Sequence, residues 1–423
     1  MLQLSLNSAA EIPLVEQIVS ALQTHIDDRV LRPGMRIPPI RRFAANHGVS
    51  RFTVVEAYDR LVALGYLQPR RGSGFYVAPR PSRVPEVEAP RVDRAIDAAW
   101  LMREMVNEAP GRVLAGRGCL PQSWMDEDSV LRQLRALTRS ADTRITGYGT
   151  PEGYAPLRQQ LQFRLAEWGI SAHPKQIVLT HGATQALDLV ARYFVRSGEC
   201  VLVDDPGYWN LFANLRLYGA RLIGVPRTAQ GPDTAALERL LEEYHPKLFF
   251  TQSVLHNPTA SNIAASVAHR VLQLAEKHGL LIVDDDAFGD FQPSPTTRLA
   301  ALDQLERVVY IGSFSKTVSG NLRVGYLACQ ADLAQALTDV KIVSCLASSE
   351  FAERLAYRMV TEGHYRRLVE RFQGRLAEGT AATLRMLERL GLVVDAEPEG
   401  GMFVWARAPS LDDAAALAQR RRR

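Results

Sequence analysis

Apolar residues recur at every fourth position, Leu14, Ile18, Leu22 and Ile26, directly after Pro13. That spacing puts them on one face of a helix with proline at its first turn. Arg32-Pro-Gly34 ends the pattern. After Pro38-Pro39, inward-facing Ile40, Phe43 and Ala44 predict a short helix over 40–47, followed by a tight turn at Gly48-Val49-Ser50. A third helix, 51–64, carries Val54, Ala57, Tyr58 and Leu61 on one face; Ser50 is a good N-cap for it and Gly65 closes it. Tyr66-Leu67, the basic corner Pro69-Arg70-Arg71-Gly72-Ser73-Gly74 and Phe75-Tyr76-Val77 predict a two-stranded ribbon with a glycine-rich tip.

From about residue 140 the pattern changes. Short apolar runs at 177–180, 200–203, 248–251, 280–283 and 308–311 alternate with helical stretches such as 185–195 and 264–278. This alternation predicts an α/β domain with a mainly parallel, doubly wound sheet. Between the two patterns, 78–90 holds four prolines in 13 residues, too many for a helix, and reads as a semi-rigid connector. Residues 93–112 predict a helix leading into the second domain. The expected division is 1–78, a linker over 79–112, and 113–423.

Length and composition narrow the class. The 423 residues suffice for two or three domains, and 47% hydrophobic with 23% charged residues is the composition of a soluble globular protein. No run of about 18 apolar residues predicts a membrane span, and Met1–Glu11 lacks the pattern of a signal peptide. Four scattered cysteines, Cys119, Cys200, Cys329 and Cys345, form no CxxC pair and read as reduced, mostly buried thiols of a cytoplasmic protein. The nine histidines show no ligand spacing, so no metal site is expected. Residues 1–80 carry 10 arginines against 6 acids, while the whole chain carries 50 basic and 46 acidic residues. The rest is therefore balanced, and the positive excess lies on the N-terminal module. That suits a polyanion partner, although a solvated surface with a chance imbalance gives the same count.

Helix, short helix, glycine turn, helix and ribbon is the order of a winged helix-turn-helix. In that geometry Ser50, Arg51, Phe52 and Thr53 open the helix that enters the major groove of double-stranded DNA. Arg41, Arg42, Arg70 and Arg71 would meet phosphates or the minor groove. A small helical bundle used for protein contacts is the rival reading.

In the second domain the chemistry gathers where strands end. Lys316 lies in Ser313-Phe-Ser-Lys316-Thr-Val-Ser-Gly-Asn-Leu-Arg323-Val-Gly325. A lysine amine can hold an aldehyde cofactor as a Schiff base, and serines with an arginine can hold a phosphate beside it. Gly182-Ala183-Thr184 lies between a strand and a helix, where backbone amides can take a phosphate. Tyr208 could stack on a flat ring, and Asn257 could donate to a ring oxygen. Asp284-Asp285-Asp286 could bind a metal, or one acid could pair with a protonated ring nitrogen. Taken singly, each feature is as well explained by a turn or a packed core.

Together the motifs are similar to two known families. The run from Leu31-Arg-Pro-Gly-Met-Arg-Ile-Pro-Pro through Gly48-Val-Ser-Arg51 to Leu64-Gly-Tyr-Leu67 resembles the GntR family of bacterial transcription regulators, over about residues 10–78. Tyr148, Thr180-x-Gly-Ala-Thr, Asp205-Pro-Gly-Tyr208, Asn257-Pro-Thr, Asp285-x-x-Phe288, Ser313-x-Ser-Lys316 and Arg323-x-Gly325 stand in the order seen in fold-type I aminotransferases. The whole resembles a MocR-type regulator.

The resemblance implies pyridoxal 5'-phosphate as cofactor, with Lys316 as its Schiff-base lysine and Asp285 on the pyridinium nitrogen. It implies Asn257 on the ring hydroxyl and Tyr208 stacked on the ring. Gly182, Ala183, Thr184, Ser313 and Arg323 would hold the phosphate. Tyr148 would reach the neighbouring subunit's phosphate, which implies a homodimer. Two positions depart from the aminotransferase pattern. Phe288 stands where a tyrosine is usual. After the small-domain strand over 399–409, no residue matches the arginine that pairs with a substrate carboxylate, and the small domain reads as incomplete. Three functions follow: a regulator sensing the cofactor or its adduct with an amine, amino acid or vitamin B6 effector; a working aminotransferase; or a DNA-binding protein whose second domain only dimerises.

Overall fold

The computed structural model describes residues 6–7, 12–28, 30–70, 72–78, 116, 118–140 and 146–409. The expected connector over 78–90 beyond its first residue, the expected helix over 93–112, and Arg71 lie outside them. The chain divides into two compact units, 1–91 and 92–423.

In the first unit, α1 (Leu14–Asp27), α2 (Ile40–His47) and α3 (Arg51–Ala63) are followed by β1 (Leu67–Arg70) and β2 (Gly74–Val77). Helix α1 ends at Asp27, ahead of the expected Arg32-Pro-Gly34 stop. Gly48 closes α2 with φ 65°, a left-handed conformation that glycine adopts without cost. Two residues on, the Ser50 hydroxyl accepts the Thr53 amide at 3.0 Å and starts α3. Ile18, Leu22, Phe43, Val54, Ala57, Tyr58 and Leu61 make one core under the three helices. Tyr58 stands edge-on to Phe43 and Phe75 and donates to the Pro38 carbonyl at 2.8 Å, so its hydroxyl is paired although buried. The antiparallel ribbon runs from Leu67 opposite Val77 to Arg70 opposite Gly74, and Arg36 bridges to Tyr76 on its free edge.

The second unit is built on eight strands: β3 (Ile177–Thr180), β4 (Cys200–Asp205), β5 (Arg221–Thr228), β6 (Gly231–Pro232), β7 (Leu248–Thr251), β8 (Leu281–Asp285), β9 (Val308–Ser313) and β10 (Gly325–Ala328). Their order across the sheet is β3-β10-β9-β8-β7-β4-β5-β6. Strands β5, β4, β7, β8 and β9 are mutually parallel, while β10 runs antiparallel to both its neighbours.

The apolar runs are explained by burial on both faces. Leu202, Phe249, Ile282, Val308 and Tyr310 pack on one side with the helices Ala155–Glu167 and Ala265–His278. Val201, Val203, Phe250, Val283, Val309 and Ile311 pack on the other with Gly182–Phe194 and Ala331–Cys345. Alternate residues of one strand thus serve two cores. The helix expected over 185–195 begins at Gly182, so the glycine turn is its first turn. The expectation of mostly buried cysteines does not hold: Cys329 is buried, Cys200 and Cys345 are half-buried and Cys119 is exposed. In the segment expected as a small-domain strand, Ala406–Arg407 pairs with Val393–Val394.

Candidate functional site

The C-terminal ends of β3, β4, β7, β8 and β9 deliver Thr180, Asp205, Thr251, Asp285 and Ser313, with Tyr208, Asn257 and Lys316 in the loops that follow. Lys316 Nζ donates to the Gly118 carbonyl at 2.7 Å, approaches Cys119 Sγ at 3.5 Å and stands 5.4 Å from the centre of the Phe288 ring. Phe288 is itself packed edge-on against Phe403. The position that carries tyrosine in aminotransferases thus presents an apolar face to the lysine.

The three consecutive acids go to three different partners. Asp284 accepts the Ser253 amide and hydroxyl at 2.9 and 2.6 Å. Asp285 Oδ2 accepts Gln252 Nε2 at 3.1 Å. Asp286 Oδ2 accepts Arg298 Nε and the Tyr310 hydroxyl, both at 2.8 Å. Among the described residues no group of three or more potential ligands could hold a metal ion, so the metal alternative for these acids has no support. Burial, reinforced by Asp286, pushes the Asp285 carboxyl up to about 6; the Gln252 and Ala287 amides and Lys316 pull it the other way. Asp285 Oδ1 is buried and accepts no hydrogen bond. A buried carboxylate oxygen without a donor is costly, and a protonated ring nitrogen is a donor of the required charge. On that observation the residues present fit a pyridoxal group.

At the other end of the site, Gly182 opens its helix with φ 73°. Arg323, also in the left-handed region, donates Nη2 to the His181 carbonyl at 3.2 Å and Nη1 to Ser315 Oγ at 3.3 Å. A guanidinium beside a helix N-terminus is suited to an anion. The Ser313 hydroxyl accepts the Ser315 amide at 3.1 Å, so Ser315 is the serine that meets Arg323. Ala183 and Thr184 lie in the same first turn. Tyr208 is half-buried and its hydroxyl accepts Asn210 Nδ2 at 3.3 Å; burial raises its pKa, Asn210 lowers it, and Asp285 and Arg323 act on it in opposite directions. Tyr148 is 89% exposed and makes no hydrogen bond to these residues.

Gln252, Gly118 and Lys341 are signalled by no motif, whereas Ser315 stands in the Ser313-x-Ser-Lys316 motif. Lys341 is fully buried and donates to the carbonyls of Pro151 and Leu179 and to Ser348 Oγ at 2.6, 2.7 and 2.8 Å. A lysine spaced like a helix-surface residue gives no sign of this. The polar pair Gln252-Ser253 directly after the apolar run 248–251 could have pointed to Gln252.

In the first unit, Arg51 and Phe52 are exposed at the start of α3, Phe52 to 83%, while Thr53 is half-covered by the Ser50 cap. Arg41 and Arg42 are exposed on α2. Arg70 is exposed at the ribbon tip with its guanidinium 4.4 Å above the Tyr76 ring.

Comparison with known proteins agrees with both halves. The family described as aminotransferase class I and II matches residues 119–420, and that described as bacterial regulatory proteins, gntR family, matches 14–77. A Thermus thermophilus protein named 2-aminoadipate transaminase is 33% identical over 74% of this chain and 79% of its own. A Rhizobium meliloti protein named "Probable rhizopine catabolism regulatory protein MocR" is 28% identical over 96% of this chain and 83% of its own. The crystal structure of Pyrococcus horikoshii kynurenine aminotransferase superposes with a TM-score of 0.72 at 25% identity, covering 80% of this chain and 87% of that one. The chain therefore belongs to the aminotransferase class I and II family and joins that domain to a GntR-family helix-turn-helix, as MocR-type transcription regulators do.

Proposed function

We propose that this chain is a homodimeric transcription regulator whose aminotransferase-like domain binds pyridoxal 5'-phosphate at Lys316 and passes the state of that site to a DNA-binding domain over residues 1–78. The observation that carries the reading is the unpaired, buried Oδ1 of Asp285, a carboxylate that feels the charge of the Lys316 amine. When bound, the cofactor supplies an aldehyde for amines and a ring that withdraws electrons.

The chain's own groups have separable tasks. Asp285 holds a proton on the ring nitrogen through the oxygen that Gln252 leaves free. Arg323, Ser315 and the amides of Gly182, Ala183 and Thr184 bind the phosphate, with Ser313 holding the Ser315 amide in place. Tyr208 covers the ring and Asn257 orients it. The Gly118 carbonyl accepts from Lys316 Nζ and would hold the amine in place to receive the cofactor's aldehyde. Exposed Tyr148 is free to reach the phosphate of a second subunit. An amine or amino acid effector that took the place of Lys316 on the cofactor would leave the lysine free, and so would favour a different arrangement of the DNA-binding domains.

The test is the absorption spectrum of the chain with added pyridoxal 5'-phosphate, wild type against Lys316→Ala, followed by band shifts on operator DNA with and without cofactor. A band near the visible edge that disappears in Lys316→Ala, with a cofactor response of DNA binding that disappears with it, supports the reading. A DNA response unchanged by Lys316→Ala would overturn it.

A working aminotransferase is the second reading, favoured by the similarity to the Thermus thermophilus 2-aminoadipate transaminase. Release of a stoichiometric oxo acid from an amino acid in a single turnover would raise it above the first.

A further inference from the structure

We propose that Gln252 is a positioning residue of the cofactor site: one carboxamide fixes both the acid meant for the ring nitrogen and the loop meant for the ring oxygen. The inference rests on the pyridoxal 5'-phosphate reading above and names a residue on which that site depends.

Gln252 is the first residue beyond β7 and is 5% exposed. Its Nε2 donates to Asp285 Oδ2 at 3.1 Å, and its Oε1 accepts the Asn257 amide at 2.7 Å. The two partners come from different places, the end of β8 and the loop after β7. The orientation of the carboxamide is dictated by them. Reversed, it would set an oxygen against a carboxylate and an NH2 against an N–H, both repulsive. The backbone of Gln252 is held as firmly. Its carbonyl accepts Arg227 Nη2 at 2.8 Å, and its amide donates to Asp204 Oδ2 at 3.3 Å. Arg227 and Asp204 are buried and paired at 2.9 Å, with Thr251 donating to the same carboxylate oxygen at 2.7 Å. A buried ion pair thus anchors the residue that in turn aims Asp285 and Asn257.

Two consequences follow. Asp285 has one oxygen occupied by a neutral donor and presents only Oδ1 to a ligand. Gln252 also favours the ionised form of Asp285, the form a protonated ring nitrogen requires. The other titratable groups that act on Asp285 are Asp286 from its own strand end, Lys316 from the loop after β9 and the neutral Tyr208 hydroxyl from the loop after β4. None of them bridges Asp285 to Asn257.

The full chain is freed of cofactor and titrated with pyridoxal 5'-phosphate across about pH 5 to 9, following the Lys316-dependent band. In Gln252→Glu the Asn257 amide keeps its acceptor, but a second acid faces Asp285. Affinity is expected to drop roughly tenfold or more near neutral pH, and the acid limb of binding is expected to move to higher pH. Gln252→Asn keeps the same groups on a shorter arm that cannot span both partners. It should weaken binding with a smaller movement of the acid limb, and it serves if the Glu variant does not fold. A merely structural glutamine would lower thermal stability and leave the acid limb where it is in the wild type. Folded variants with wild-type affinity and an unmoved acid limb would overturn the inference while leaving the cofactor reading intact. No Lys316-dependent band in the wild-type chain would remove both.

Discussion

A side-chain carbon on Gly182 would stand 2.7 Å from Nη2 of Arg323. The glycine and the arginine therefore define one another: Arg323 can lie over the first turn of the Gly182–Phe194 helix only because nothing projects there. Gly182 also has φ 73°, where any other residue is strained. Gly182→Ala is expected to displace the guanidinium from the anion position and to weaken pyridoxal 5'-phosphate binding about tenfold, while pyridoxal without its phosphate is affected less. Fluorescence titration with the two ligands checks this. An equal loss for both would show that the damage is not confined to the phosphate end.

Lys341 is a buried cation near that turn, where Arg323 is exposed. Its three acceptors come from the segment after Tyr148, from β3 and from the loop before the Glu350–Thr361 helix. Ser348 passes the charge on to Glu353, which also accepts the Tyr154 amide at 2.8 Å. Lys341→Met leaves Glu353 buried without its cation. The expected cost is about 3 kcal/mol or more in urea denaturation, because a buried charge that has lost its partner is worse than no pair at all. The double variant Lys341→Met/Glu353→Gln should recover part of it. No recovery would mean that the two charges do not act as a pair.

Stability should also depend on pH through Asp284. Burial, reinforced by Asp286, raises its carboxyl to about 7, against a usual value near 4 in an unfolded chain. Between those values the folded protein holds more protons than the unfolded one, so this group's contribution falls as pH rises, by up to about 1.4 kcal/mol per pH unit. His256 works in the opposite direction. Burial, with the charge of Arg227, pushes it down to about 4, so it favours folding increasingly as pH rises from there to about 6.5. Asp284→Asn retains an acceptor for the Ser253 amide and removes the slope that Asp284 contributes. Relative to wild type, the variant is expected to gain stability steadily from about pH 4 to about pH 7. A difference independent of pH would mean that Asp284 is ionised throughout that range.

The sequence made some of this legible and hid the rest for physical reasons. Helix ends in the first unit are set by local chemistry, Pro39 and Gly48 around α2 and Ser50 before α3, and local chemistry can be read from the sequence. The strands at 177–180 and 248–251 are buried on both faces, so their apolar runs begin and end with the strands. Strands β5 and β10 escaped. Residues 221–228 mix exposed, half-buried and, at Val225, buried positions without a regular period, and 325–328 form a run of only four residues that begins at the end of the Arg323-x-Gly325 motif. The motif residues themselves were visible because their types are chemically specific. Gln252 and Lys341 were not, because a polar residue acquires its meaning from partners far away in the chain, such as Asp285, 33 positions from Gln252.

On the DNA side, Ser50 and the arginines make separable predictions. Ser50→Ala removes the hydroxyl that accepts the Thr53 amide and should cost about 1 kcal/mol in the stability of the first unit. Arg51 stands exposed at the opening of α3, next to Phe52, whereas Arg42 stands exposed on α2. If α3 enters the major groove, Arg51→Ala costs about 1–3 kcal/mol on the specific site and much less on random DNA. Arg42→Ala, as a phosphate contact, weakens both alike and lowers the salt dependence of log K by about one. Band shifts on operator and random DNA at several salt concentrations read all of these quantities together. A uniform loss for Arg51→Ala would move it from base reading to backbone contact. A selective loss for Arg42→Ala would place α2, and not α3, in the groove.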